Sequence, residues 1–166
     1  MELGQAVKIK QAKGFSLIEL IIVIAILGIV SAIAAPNFNK YRQNTNLREA
    51  ARDLASDISL YRQRAVAENI HYQIVFNQAA NNYTVQRETV LNSGVYNLLI
   101  VTKSPSAISS QVIISDNPLP IFSGGVPNIT IQPRGTMSAG SVTLQHTLSL
   151  LTKKITANTM GRVKVE

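Results

Sequence analysis

Residues 15–35 read FSLIELIIVIAILGIVSAIAA, an apolar run of 21 residues broken by a single charge, Glu19. As a helix this segment extends about 31 Å, close to the roughly 30 Å hydrocarbon thickness of a bilayer, so it can cross a membrane once. The residues before it are polar, with Lys8, Lys10 and Lys13 against Glu2, and a positive flank of this kind belongs on the cytoplasmic side. A carboxylate near the start of such a run costs on the order of 3 kcal/mol in lipid and calls for a partner.

Three readings compete for this N-terminus. Ala32, Ile33 and Ala34 form a small-x-small site that suits a secretory signal peptide, but the apolar stretch exceeds the usual roughly 7 to 15 residues and contains Glu19. A plain single-span anchor explains the length and the lysines and leaves Glu19 to snorkel to the interface. The third reading starts from the string Lys13, Gly14, Phe15, Ser16, Leu17, Ile18, Glu19. It resembles the type III signal of prepilins in the type IV pilin and type II secretion pseudopilin family. The resemblance implies cleavage after Gly14 by a prepilin peptidase and methylation of the new amino group on Phe15. It also implies that the Glu19 carboxylate meets the positive N-terminus of a neighbouring subunit during assembly, so that two groups costly in lipid neutralise each other. Pro36 matches a proline frequent in these helices; it removes one helical hydrogen bond and should bend or loosen the rod.

Past Pro36, the apolar residues Leu47, Ala51, Leu54, Ile58, Tyr61 and Ala65 recur at helical spacing and predict one buried stripe. Arg48, Arg52, Asp53, Asp57 and Arg62 fall mostly off that stripe and read as a solvated, mixed-charge face. Beyond Asn69 the chain changes to short runs rich in Val, Ile, Thr and Tyr between turn-forming clusters, predicting strands at 71–76, 83–88, 95–101, 111–115, 129–132, 141–145, 148–156 and 162–165. The proline- and glycine-bearing stretch 104–128 reads as a long loop with at most short edge strands. The fold class is α+β: a long N-terminal helix, membrane-spanning in its first half, packed against an antiparallel β-sheet head. The resemblance implies the same lollipop of a pilin. The parts are a cleaved leader 1–14, a membrane or filament-core helix 15–36, an amphipathic continuation 37–68 and a β-rich head 69–166.

The absence of cysteine excludes disulfides, thiolate metal sites and thiol nucleophiles. His71 and His146 lie in apparent strands without partners at ligand spacing and read as exposed strand residues. No phosphate loop, nucleophile elbow or zinc motif occurs, so neither an enzyme nor a cofactor is expected.

The net charge of +7 gains its interest from the C-terminal third, where Lys103, Arg134, Lys153, Lys154, Arg162 and Lys164 face only Asp116 and Glu166. The phrases Gln132, Pro133, Arg134, Gly135, Thr136 and Gly161, Arg162, Val163, Lys164, Val165 resemble the GspH/FimT branch of pseudopilins and minor pilins. In the FimT part of that branch a C-terminal GRxR motif is linked to DNA binding in natural transformation. Gly161 and Arg162 match it, whereas Lys164 keeps the charge and loses the bidentate guanidinium. Strand alternation would place Arg162 and Lys164 on one face, able to contact successive phosphates of double-stranded DNA, with Arg134, Lys153 and Lys154 as extensions. The simpler reading is an edge strand whose basic residues deter edge-to-edge aggregation. The resemblance therefore implies a minor type IV pilin of the inner membrane with a periplasmic head, partnered by other pilins, or alternatively a minor pseudopilin of a type II secretion system.

Overall fold

A computed structural model describes residues 14–116 and 118–166. Lys8, Lys10 and Lys13, with the rest of the leader before Gly14, lie outside the described residues. Helix α1 spans Leu17–Glu68, and two units meet within it, at Asn39 and Lys40.

In the first unit every described side chain is exposed, from Phe15 through Phe38. A helix of predominantly apolar, uncovered residues suits lipid or the helices of other subunits, and water poorly. Pro36 sits inside α1. Its ring removes the amide that would otherwise reach the Ala32 carbonyl.

The second unit holds the rest of α1 and nine strands among the described residues: β1 (Tyr72–Asn77), β2 (Asn82–Glu88), β3 (Tyr96–Lys103), β4 (Val112–Ile114), β5 (Ile121–Phe122), β6 (Asn128–Ile131), β7 (Gly140–His146), β8 (Thr152–Ala157) and β9 (Val163–Val165). They divide into two antiparallel sheets, ordered β3-β2-β1-β6 and β4-β7-β8-β9, with β5 added to β7. The β1–β2 hairpin alternates as its sequence requires: Tyr72, Ile74 and Phe76 point inward and meet Tyr83 and Val85, in the register Phe76↔Tyr83 and Ile74↔Val85. From α1 the buried stripe contributes Leu47, Ala50, Ala51, Leu54, Ile58, Tyr61 and Ala65 to the same core. Burying each large aliphatic among them contributes roughly 1.5–3 kcal/mol.

Several residues depart from the sequence reading. Asp57 is buried rather than solvated; it accepts from the Tyr83 hydroxyl at 2.6 Å and pairs with Lys103 Nζ at 2.8 Å. Burial, reinforced by the hydrogen bond to Asp57, pushes the Tyr83 hydroxyl far up from its ordinary value, and the Asp57 hydrogen bond raises Lys103. His146 is buried, because β7 is an interior strand and His146 lies opposite Val112 of β4. His71 is half-buried, with Nδ1 3.1 Å from Glu88 Oε2, and Glu88 also accepts from the Asn92 and Gly94 amides. The strand expected at 148–156 begins only at Thr152, since Leu148 to Leu151 form the turn out of β7.

Candidate functional sites

The first site is the start of α1. Gly14 precedes the helix, and a Cβ at this position would meet no described atom within 4 Å. The described fold therefore sets no steric demand for glycine here. Phe15 is 86% exposed. Glu19 lies in the first turn of α1, where the helix dipole favours an acid, and it is exposed and ion-paired to no described residue. An acid among Leu17, Ile18, Leu20 and Ile21 can thus be neutralised from outside the described chain.

The second site is built around Arg62, which the sequence reading assigned to solvent. Its Nε donates to the Gly135 carbonyl at 2.7 Å. Gly135 and Gly161 both have positive φ, 80° and 82°, a conformation that glycine adopts without strain. A Cβ on Gly135 would come within 3.3 Å of Arg62 Nη2 and Val66, and one on Gly161 would collide with Arg62 and the Gly135 carbonyl. The two glycine segments thus close on one guanidinium. The clasp is extended by the Met137 amide donating to the Thr159 carbonyl at 3.3 Å, and by a turn in which Asn158 Oδ1 accepts from the Arg162 amide at 2.8 Å.

This brings Arg134 and Arg162, each next to a clasp glycine and each exposed, to one end of the head. Arg162 lies in the turn before β9, one residue outside the expected strand, yet exposure still alternates: Arg162 and Lys164 are exposed, Val163 and Val165 half-buried. Lys164 lies opposite Thr156 and pairs with Glu166 at 2.9 Å, which holds the Glu166 carboxyl below its ordinary range. Lys154 is bonded to Glu166 through both backbone amide and carbonyl, so it shares the Lys164 face. Lys153 points to the opposite face of β8 and does not join them. The proposed bases therefore form an arginine pair at the clasp and a lysine pair farther along the β8–β9 edge, the latter carrying an acid between them. The signal for Arg62 was present in the two glycine-bearing phrases, but one sequence does not reveal that they meet.

A long apolar helix leading into this two-sheet head defines a pilin-like assembly subunit. Residues 9–35 match the prokaryotic N-terminal methylation motif, and residues 50–161, two thirds of the chain, match the type II transport protein GspH family. The chain belongs to that family. Among solved structures it is similar to the type IV minor pilin FimU of Pseudomonas aeruginosa, with TM-score 0.55 and 14% identity over 76% of this chain and 92% of that one. It is also similar to the minor pseudopilin EpsH of Vibrio cholerae, with TM-score 0.52 and 10% identity over 73% of this chain and 96% of that one. These likenesses are of fold. In sequence it is 52% identical to the type IV major pilin protein PilA of Myxococcus xanthus over 42 residues, 25% of this chain and 19% of the relative. It is 45% identical to a fimbrial protein of Pseudomonas aeruginosa over 47 residues, 28% of this chain and 30% of the relative. The matched segments thus span less than a third of either relative's length.

Proposed function

We propose that the chain is a minor type IV pilin, cut after Gly14 by a prepilin peptidase, methylated on Phe15, anchored in the inner membrane with its head in the periplasm, and recruited into a filament through Glu19. It is a structural subunit rather than an enzyme. The observation that carries this reading is Glu19, an exposed acid in an apolar helix with no partner among the described residues. A neighbouring subunit's N-terminal amine would supply the missing charge, and it would do so at one register only. Glu19→Ala should be cleaved normally yet enter filaments poorly, as read by N-terminal sequencing of the membrane pool and by immunoblotting of sheared filaments. Normal incorporation would remove Glu19 from the assembly role.

Pro36 has a place in the same proposal, as the point where the rod bends or loosens while subunits pack. A second element of the proposal is contact with double-stranded DNA at the clasp end of the head, supported by the convergence of Arg134 and Arg162 on the Arg62 clasp. Lys154 and Lys164 lie along the adjoining edge, where Glu166 offsets part of their charge. The competing assignment, a secretion pseudopilin, separates from this one by gene deletion: loss of twitching or DNA uptake supports the pilus, and loss of exoprotein release with pili intact supports secretion.

A further inference from the structure

The turn out of β7 reads TLSLL over 147–151, and its leucines face water: Leu148 is 71% exposed, Leu150 69% and Leu151 42%. Among the described residues, four that are not glycine have positive φ. Three are asparagines, Asn69, Asn81 and Asn92, whose short side chains tolerate that region; the fourth is Leu150 at 56°. Leucine there costs roughly 1–2 kcal/mol of backbone strain. Position 150 thus breaks two local rules at once, by placing a large apolar side chain in solvent and in a backbone conformation that disfavours it. The turn is nonetheless fixed: the Leu150 amide donates to the His146 carbonyl at 2.9 Å, the His146 amide to the Leu151 carbonyl at 2.9 Å, and the Thr147 amide to the Gln111 carbonyl at 2.8 Å.

We propose that this turn is an interfacial foot, which seats its leucines among the headgroups of an anionic bilayer. The proposal rests on the reading of 15–35 as a membrane span. Leu148, Ser149 and Leu151 line a depression of about 510 Å³ together with Lys40 and Gln43 of α1. Lys40 is five residues past Ala35, so the covalent chain holds it within about 18 Å of the end of the apolar run in any conformation. Lys40 beside the turn, and Lys153 two residues after it, supply the positive charge that anionic headgroups attract. Leucines flanked by lysines, tethered close to where the chain leaves the bilayer, match an interfacial anchor in both chemistry and reach.

Because the chain contains no cysteine, a single Leu150→Cys places an environment-sensitive fluorophore at the tip of the turn. The full chain is reconstituted into vesicles containing phosphatidylglycerol. Ser93→Cys serves as reference, in the β2–β3 loop whose Leu91 and Asn92 border Asn69, about 40 Å along α1 from Lys40. The probe at 150 should show blue-shifted emission and quenching by lipids brominated near the headgroups, and the probe at 93 neither. Leu148→Cys should repeat the result without altering the strained position. Absence of both effects in chain that floats with the vesicles overturns the foot and leaves the span intact. A shift that follows protein density and ignores brominated lipid assigns the leucines to a second copy of the chain, which also overturns it. Chain that fails to float overturns the span reading, and the foot with it.

Discussion

Arg62 belongs by sequence spacing to the wet side of an amphipathic helix, and its guanidinium is instead packed, half-buried, against two glycine segments 26 residues apart in the chain. Gly161→Ala tests that enclosure. The new methyl would collide with Arg62 and require φ of 82° from a residue that resists it, so the head should lose about 1–3 kcal/mol, measured by urea unfolding. Stability unchanged from wild type would show that the clasp opens without cost. The neighbouring residues explain why sequence reasoning stopped short here. Asp57 carries the same charge as Asp53 one turn earlier, and both reach Lys103; Asp57 differs in being buried and in accepting from Tyr83, a tertiary fact. His146 is similarly undistinguished until β4 covers it.

Elements were legible where one periodicity decided them. The helical stripe from Leu47 to Ala65 and the alternating β1–β2 hairpin each carry their own burial pattern, and both are found where their spacing placed them. The division into two sheets is set by which strands meet across long loops, and no local pattern encodes it. The start of β8 was misplaced because Leu148, Leu150 and Leu151 look like strand residues; the left-handed backbone at Leu150 is what ends the resemblance. Helix and sheet are joined by Asp57 of α1 with Tyr83 of β2 and Lys103 of β3. Tyr83 and Lys103 both hold their protons more tightly in the folded state. Their contribution is therefore whole below the ordinary values of 10.0 and 10.5, and it is lost as pH climbs through those values toward the raised folded ones. Unfolding midpoints should fall from about pH 9 to about 11, and Tyr83→Phe should flatten that fall even though it removes a hydrogen bond. A slope identical to wild type would exclude Tyr83 from the alkaline loss.

At the scale of the whole molecule, every buried residue described lies at Leu47 or beyond. A fragment from Lys40 to Glu166 should consequently fold without the apolar half, with a single cooperative unfolding transition. That fragment carries the DNA test. Binding to duplex DNA should weaken as salt rises, and Arg134→Gln with Arg162→Gln should reduce the log–log slope by nearly 2, at about 0.9 per phosphate contact. A folded fragment that does not bind at low salt would exclude the head as the DNA contact. The GspH/FimT resemblance was readable from both glycine phrases, and the family match over residues 50–161 agrees with it. Their meeting around one helix residue required the fold.

The clasp divides labour between adjacent positions. Gly135 and Gly161 fix the course of the backbone, while the side chains of Arg134 and Arg162 beside them are exposed to water. Such a mount lets the displayed side chains be exchanged without disturbing the frame that bears them. Subunits sharing the frame can diversify in what they touch, one replaced residue at a time, while remaining interchangeable in how they fold.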